Sequence, residues 1–434
     1  MRSRSRVCLL LREHGVSGGA ETVNLHLIPE FLEMVDRIVW IMPGWRRAYF
    51  QRRFPASDRL IYADPGWPND SRVHRSLEKA VRFCLRRNHI PMRGVLETAQ
   101  QHLSNLWLRE LIRRHRITHC FFNWTLWVNP PALDIPMGAM LMDVRWRRYP
   151  ETFAGVDLER IDQQFQQWLK QSDIVFPVSE ATAADIKHFY PWYNGRMAVV
   201  PHGSAVSAAD GLNSQAPVRR PSRRPVFYCP GVAHRHKDHI TLFQAAAALR
   251  RKGRDFDLVL TGIETDHLAA KHPLSDPAIE ACREFLIEHE ELFGGRIKPL
   301  GYIARPDVDA WYRDCTAVVL PSFFEGFGLS LLEALEHGAR IICTDIPAHR
   351  EQLNRYGGQD GVMIVPPQDV ESLAVKMEEA LFAGPCQSTN PPALDRWTWK
   401  DAAAAYIDSL VNLSAVTSQR PQTPKSDLLE SVPS

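Results

Sequence analysis

The feature that most constrains the fold is an alternation of short apolar runs with longer stretches whose apolar residues recur at helical spacing. The runs form two series, at residues 7–11, 36–42, 118–124, 138–144, 173–179 and 197–204, and at 225–231, 257–262, 296–301, 316–321, 340–345 and 361–366. Short buried strands that alternate with amphipathic helices favour a mostly parallel sheet covered by helices. Because the pattern occurs twice, we predict an α/β protein with two Rossmann-like, doubly wound units.

A polar segment divides the two series. Residues 206–224 are small, polar and basic and are rich in Pro and Ser, a composition that buries little apolar surface. A chain of 434 residues has room for two or three domains. We therefore predict a first domain at 1–205, a linker at 206–224 and a second domain at 225–395, and we expect a disordered tail at 415–434.

The overall charge gives no reason to expect a nucleic acid partner. Lys and Arg total 52 against 50 for Asp and Glu, so the formal net charge is +2. Two local clusters of arginine leave two interpretations open, which are peripheral attachment to an anionic membrane surface and ordinary solvated helix faces. The clusters are Arg113, Arg114 and Arg116, and Arg145, Arg147 and Arg148.

Other bulk features indicate a cytoplasmic protein with reduced thiols. No apolar segment reaches the roughly 18 residues of a membrane-spanning helix. The first apolar run is too short for the core of a signal peptide. The eight cysteines never have the close spacing of paired metal ligands, and several lie in strand-like runs. We expect them to be reduced and mostly buried.

The most informative segment is AVVLPSFFEGFGLSLLEALEHGARIICTD, at residues 317–345. A buried strand ends at Leu320 and a helix begins near Gly328, so the loop between them lies at the carboxyl end of a parallel strand. Open α/β sheets bind their ligands at that end. The backbone N–H groups of Phe327, Gly328 and Leu329 at the helix start suit a diphosphate.

Two carboxylates flank this helix start. Glu325 lies in the loop and Glu333 lies in the helix. A carboxylate can accept two hydroxyl donors at once, which suits the adjacent hydroxyls of a hexose or a ribose. Spacing alone leaves the alternatives open, because Glu333 also fits a solvated helix position and Glu325 also fits a partner of the helix dipole.

The whole segment resembles the donor-site signature of retaining glycosyltransferases of the GT-B fold, specifically family 4, whose two glutamates lie in a PSxxEGFGLxxLEA frame. Further stretches resemble the same family, namely VSGGAE, PVSEATAADI, VVPHGS, RIKPLGYI, DAWYRDCTAVVLPS, PAHREQL and GVMIVPPQDVESLA. The match is dense across the second domain to about residue 385 and sparse across residues 30–140. It implies two Rossmann-like domains that face each other across a cleft. It also implies a C-terminal helix, at 396–414, that returns to the first domain.

The resemblance implies roles for individual charged side chains. Glu325 would bind hydroxyls of the donor sugar, and Glu333 would bind the ribose of the nucleotide. Lys237 would face the diphosphate, where an ammonium group neutralises charge that builds on the leaving nucleotide.

Further positions of the donor site follow from the same resemblance. Gly18 and Gly19 would bring the first domain's loop against the phosphates. Tyr302 and Ile303 fall where the family holds the nucleobase.

Two departures from the family pattern concern charged residues of the site. The family's Gly-Arg before the lysine is Gly231-Val232 here, so Arg235 or His234 would have to supply the second phosphate-binding cation. Where many members have His-Asp after a strand of the first domain, this chain has Met142 and Asp143. Asp143 is our candidate for that wall of the site.

We expect no metal and no cofactor. Two DxD patterns, at 255–257 and 307–309, lie at a strand start and a helix start, where a metal role is not needed to explain them. The histidines at 234, 236 and 239 suit a helix start that faces phosphates better than a metal site. The first loop lacks the glycine fingerprint of NAD-binding proteins. Trp124 and Trp127 could stack on an acceptor sugar, although a structural role is the simpler interpretation.

These observations predict a glycosyltransferase that moves a hexose from a nucleotide sugar to a glycan or lipid-linked acceptor with retention of configuration. GDP-mannose is the donor that the family resemblance suggests. Two alternatives remain open at this point. One is a relative of the same fold that hydrolyses or epimerises a nucleotide sugar, and the other is an inactive nucleotide-sugar-binding protein.

Overall fold

The computed structural model describes residues 5–12, 18–64, 92–153, 155–204, 224–269, 277–357, 361–383 and 397–417. Within these ranges the chain forms two six-stranded sheets in which all strand pairs are parallel. The predicted linker, apart from Arg224, and most of the predicted tail lie outside the described residues.

The first sheet and its helices occupy the first half of the chain. Its strands are β1 (Ser5–Arg12), β2 (Val35–Ile41), β3 (Leu60–Ala63), β4 (His119–Phe122), β5 (Met137–Leu141) and β6 (Ile174–Pro177). Its helices are α1 (Gly19–Met34), α2 (Gly44–Arg53), α3 (Met92–His115), α4 (Arg145–Arg148), α5 (Leu158–Gln171) and α6 (Glu180–Phe189).

The second sheet follows the same plan. Its strands are β7 (Val226–Pro230), β8 (Asp257–Thr261), β9 (Ile297–Pro299), β10 (Ala317–Leu320), β11 (Ile341–Thr344) and β12 (Val362–Val365). Its helices are α7 (His239–Arg251), α8 (Pro277–Glu288), α9 (Glu290–Phe293), α10 (Arg305–Asp314), α11 (Leu329–Glu336), α12 (Pro347–Tyr356) and α13 (Val370–Phe382), and the last helix of the chain is α14 (Trp399–Thr417).

The order of the strands fixes where ligands can bind. The first sheet has the order β3-β2-β1-β4-β5-β6, and the second has the equivalent order β12-β11-β10-β7-β8-β9. In each sheet the order reverses between two central strands, which are β1 and β4 in the first and β7 and β10 in the second. Doubly wound sheets bind ligands in the crevice that opens at the carboxyl ends of such strands. The loop that follows β10 lies at this position.

Burial explains why most strands were predictable. Every residue of β4, β5, β6, β7, β8, β10 and β11 is buried, as expected for parallel strands with helices on both faces. Strand β3 was not predicted, because it is a four-residue strand at the sheet edge and only half of its residues are buried.

One predicted strand of the first domain is not a regular strand. Residues 197–204 run beside β6 but form only an isolated bridge, between Val175 and Met197. The N–H groups of Ala198 and Val200 donate to the carbonyls of Val175 and Pro177. Pro177 has no N–H to return a bond, so the ladder cannot continue.

The last helix packs on the first domain. Helix α14 lies against α1, and the ring of Tyr406 lies 4.8 Å from that of Phe121 and 5.0 Å from that of Phe176. None of the helices in the described ranges is both long and apolar enough to cross a membrane.

The chain passes between the two halves at two points that lie side by side. Ser204, where the first half ends, pairs with Thr398 in a parallel bridge. Its N–H donates to the carbonyl of Trp397 at 3.0 Å, and its carbonyl accepts from Trp399 at 3.3 Å.

Candidate functional site

The loop after β10 ends in a helix start with available N–H groups. Gly328 precedes α11 and has a φ of 88°, a left-handed conformation that favours glycine. The side-chain amide of Gln352 donates to the carbonyls of Phe327 and Gly328 and so fixes the loop. Within the described ranges, the N–H groups of Phe327, Gly328 and Leu329 donate to no protein acceptor. They are therefore available to an anionic ligand.

Lys237 and Glu325 form a buried ion pair beside this helix start. The Nζ atom of Lys237 lies 2.6 Å from Oε1 of Glu325, and the two side chains are 15% and 12% exposed. Burial alone would raise the pKa of Glu325, but Lys237, His349 and a hydrogen bond from Ser322 outweigh it and lower the pKa below its usual value. Glu325 is therefore a carboxylate at neutral pH.

Glu333 is held by different partners. It forms an ion pair with Arg305, and it accepts a 2.8 Å hydrogen bond from the hydroxyl of Tyr312. Its side chain is 15% exposed. The two glutamates of the motif thus have separate cations, Lys237 for Glu325 and Arg305 for Glu333. Binding of the ribose by Glu333 stays a prediction.

Asp143 lies across the cleft from Glu325, in the turn that follows β5. A Cβ atom at Gly326 would collide with the carbonyl oxygen of Met142 and lie 3.1 Å from Cβ of Asp143, so glycine allows this approach. Burial and the nearby charge of Glu325 raise the pKa of Asp143, although Arg145 lowers it in part. The first domain therefore contributes a carboxyl group next to the donor loop.

Polar contacts from helix α6 hold the two domains together at the same place. Ser179 caps this helix by accepting from the N–H of Thr182 at 3.0 Å. The Ser179 hydroxyl donates to the carbonyl of Gly326 in the second domain, at 2.6 Å. From the second domain, the carboxylate of Glu351 accepts from the N–H of Glu180 at 3.1 Å.

The start of α1 also faces the second domain. A Cβ atom at Gly19 would lie 3.4 Å from Cδ1 of Leu329, and one at Gly18 would lie 3.9 Å from Cδ1 of Ile263. The first glycine loop therefore ends beside the start of α11. Contact of these glycines with phosphates stays a prediction.

Tyr302 is 61% exposed and bridges the domains through Glu21. Its hydroxyl donates to Oε1 of Glu21 at 3.4 Å, and Oε2 of Glu21 pairs with Arg46 at 2.9 Å. Ile303 is partly buried. The exposed ring of Tyr302 lies at the edge of the cleft. Contact of Tyr302 and Ile303 with the nucleobase stays a prediction.

The residues near Lys237 show which cations reach the cleft. Arg235 donates to the carbonyl of Glu151 in the first domain at 2.9 Å, so its guanidinium lies on the domain boundary. The rings of His234 and His236 lie 5.9 Å apart, whereas His239 is buried at the start of α7.

In the part of the chain that the structure describes, no group of three His, Cys, Asp or Glu residues could hold a metal ion.

Three site residues lay outside the sequence prediction. His349, Gln352 and Glu351 belong to α12, in the stretch PAHREQL that contributed only to the family resemblance. His349 is 2% exposed and Gln352 is 1% exposed. Nothing in the local sequence marks these three residues as part of the site, because their contacts arise only when α12 packs beside α11 and α6.

Residues 213–385 match the family model described as glycosyl transferases group 1. The serotype-specific mannosyltransferase WbdA of Escherichia coli is 24% identical over 60% of this chain and 32% of its own length. The lipopolysaccharide core biosynthesis mannosyltransferase LpcC of Rhizobium leguminosarum bv. viciae is 25% identical over 62% of this chain and 69% of its own length. The chain thus spans about a third of the length of WbdA.

A solved structure decides the fold. The glycosyltransferase of Rickettsia africae ESF-5 aligns over 98% of this chain and all of its own, with a TM-score of 0.55 and 15% identity. The fold is GT-B. The GT-B prediction is confirmed, and the second Rossmann-like half of this GT-B chain is the part that matches the group 1 family. The site described above lies between the two GT-B halves.

Proposed function

We propose that the chain transfers a hexose from a nucleotide sugar to a glycan or lipid-linked acceptor, with retention of anomeric configuration. The observation that carries this proposal is the Lys237–Glu325 pair, which lies beside the open N-terminus of α11 and faces Asp143 of the first domain. A cation, a set of free N–H groups and a carboxylate are the groups that a sugar diphosphate requires.

Each group has a distinct task when the donor binds. The diphosphate accepts from the N–H groups at the start of α11 and attracts the ammonium of Lys237, which neutralises charge on the leaving nucleotide. Glu325 then exchanges its bond with Lys237 for hydroxyls of the hexose. Because its pKa is lowered, Glu325 accepts these bonds as a carboxylate at neutral pH.

The names of the relatives support a mannose donor. Both relatives described above are called mannosyltransferases, and LpcC acts in lipopolysaccharide core biosynthesis by its name. We therefore propose GDP-mannose as the donor and a glycan or lipid-linked saccharide as the acceptor. Retention is supported by the donor-site signature, and the anomeric carbon–hydrogen coupling of the product tests it.

A lipid-linked acceptor would lie at a membrane surface. In the cluster proposed for such a surface, Arg147 and Arg148 pair with Asp162 and Asp185 of the same domain. Their charge is therefore partly neutralised. Peripheral membrane association stays a proposal, and co-sedimentation with anionic vesicles tests it.

The central experiment measures transfer by Glu325→Gln and Lys237→Ala. We expect each variant to lower kcat by about 100-fold or more while the protein stays folded, because each removes charge stabilisation near the reacting bond. The matched controls are Glu379→Gln and Lys376→Ala, which break a surface ion pair of 2.9 Å on α13 and should leave transfer unchanged. Wild-type transfer rates in both site variants would refute the proposal.

The same assay with donor alone separates the two alternative activities. Rapid release of free sugar or of an epimer without acceptor would indicate a hydrolase or an epimerase. Tight donor binding without turnover on any acceptor would indicate an inactive binding protein.

A further inference from the structure

His349 is a buried histidine whose ring orientation is fixed. It lies in the first turn of α12 and is 2% exposed. Its Nδ1 atom lies 2.9 Å from the carbonyl oxygen of Thr344. A carbonyl oxygen can only accept, so Nδ1 carries the hydrogen and donates it. In the neutral ring, Nε2 then presents a lone pair and acts as an acceptor.

The Nε2 side of the ring lies against the start of α11. A Cβ atom at Gly328 would lie 3.3 Å from Cδ2 and 3.6 Å from Nε2 of His349. Within the described ranges, Nε2 makes no hydrogen bond with the protein. An acceptor that has no partner in the protein is available to a hydroxyl of a ligand or to water.

Burial keeps the ring of His349 neutral. Burial lowers the pKa of His349, and Lys237 lowers it further, although Glu325 and the bond to Thr344 raise it in part. The net direction is below the usual value, so the ring is uncharged at pH 7. A neutral ring with a lone pair at Nε2 repels a phosphate oxygen but suits a hydroxyl donor.

Resting on the function proposed above, we infer that Nε2 of His349 accepts a hydrogen bond from a hydroxyl of the donor sugar. The ring lies beside Gly328 and close enough to Glu325 for each group to shift the pKa of the other. Glu325 and His349 would therefore bind neighbouring hydroxyls of one hexose. His349 thus contributes to the choice of sugar and not to the choice of nucleotide.

Two substitutions of His349 distinguish the role of Nε2 as a hydrogen-bond acceptor from the role of Nδ1 as the donor to Thr344. In His349→Asn the amide takes the place of Nδ1 and can still donate to Thr344, but nothing replaces Nε2. In His349→Gln the amide reaches the position of Nε2 and restores an acceptor there. The matched control is His289→Phe, because Nδ1 of His289 also contacts a local carbonyl, that of Phe285 at 3.0 Å, far along the chain from the donor loop.

The experiment measures binding by calorimetry to GDP, to GDP-mannose and to deoxy analogues of GDP-mannose, with UDP, ADP and their hexose derivatives as a second panel. We expect His349→Asn to weaken binding of the cognate nucleotide sugar about tenfold, the effect of losing one hydrogen bond. Affinity for the bare nucleoside diphosphate should stay unchanged, His349→Gln should recover much of the loss, and His289→Phe should behave as wild type.

The deoxy analogues identify the hydroxyl. The analogue that lacks the bound hydroxyl should bind about tenfold more weakly than the parent sugar to the wild-type protein but equally well to His349→Asn. Equal weakening of nucleotide and nucleotide sugar in His349→Asn, or no weakening at all, would overturn this role while leaving the transferase proposal intact. A wild-type chain that binds no nucleotide sugar would overturn both.

Discussion

The hydroxyl of Ser179 in the first domain donates a 2.6 Å hydrogen bond to the carbonyl oxygen of Gly326 in the second. The same hydroxyl oxygen accepts from the N–H of Thr182 and caps α6. One side chain therefore begins a helix and fixes the donor loop across the cleft.

Ser179→Ala should impair both stability and transfer. Loss of a helix cap costs about 1 kcal/mol, and loss of the bond to Gly326 frees the donor loop. We expect a lower Tm together with a raised donor KM. The control is Asp157→Ala, which removes the cap of α5 in the same domain and away from the second domain. A similar drop in Tm without a change in KM is expected there. If both variants change the donor KM equally, the hydrogen bond from Ser179 to Gly326 makes no specific contribution to donor binding.

Gly328→Ala should lower the free energy of unfolding by more than the positive φ of this residue alone explains. The residue has a φ of 88°, and a Cβ atom would lie 3.0 Å from Nε2 of Gln352. The control is Gly253→Ala, where φ is 76° and a Cβ atom would meet nothing within 4 Å. We expect the control to lose about 1–2 kcal/mol from backbone strain. Gly328→Ala should lose more in urea unfolding and should lose nucleotide binding. Equal losses of stability would refute the role of the close approach.

Stability should fall in mild acid because several buried or partly buried histidines, His202 and His26 among them, are neutral in the folded chain. Burial lowers the pKa of His202 to about 3 and, with help from Arg305 and Arg53, that of His26 to about 4. The unfolded chain takes up these protons below about pH 6.5 and the folded chain does not. The free energy of unfolding should therefore decrease as the pH falls from about 6.5 towards 4.

His202→Phe tests this pH dependence. A phenyl ring can keep the contacts with Trp399 and Phe327, whose rings lie 5.4 Å and 4.8 Å from that of His202. Urea unfolding at several pH values should show a shallower decrease in the variant. His188→Phe, at an exposed position of α6, should follow the wild-type curve. If the free energy of unfolding falls with pH as steeply in His202→Phe as in the wild type, His202 does not cause the pH dependence.

Asp143→Asn should raise stability at pH 7 while lowering transfer. Burial and Glu325 raise the pKa of Asp143, so its charged form destabilises the folded state above that pKa. The gain in Tm should therefore be present at pH 7 and shrink as the pH falls through the raised pKa towards the unfolded value. Asp134→Asn, at an exposed position, should change Tm little at any pH. A lower Tm in Asp143→Asn at pH 7 would show that neighbouring groups stabilise the Asp143 carboxylate in the folded state.

Local pattern predicted the elements far better than the contacts between them. The strand that ends at Leu320 and the helix that begins after Gly328 were predictable, because apolar periodicity and a glycine loop determine both. The irregular path of residues 197–204 was not, because it depends on a proline in the neighbouring strand β6. The contact between Ser179 and Gly326 and the position of His349 at the donor loop depend on how the domains and α12 pack. No local sequence signal encodes that packing.

The side-by-side passage of the chain at Ser204 and Thr398 makes the second domain an insertion into the first. The two crossings lie together at this bridge, so a change in a few backbone torsions at Ser204 and Thr398 is enough to turn the second domain relative to the first. The same geometry makes the insertion a replaceable module. Exchange of this unit for that of a related enzyme at 204 and 398 would graft a new donor preference onto an unaltered acceptor half.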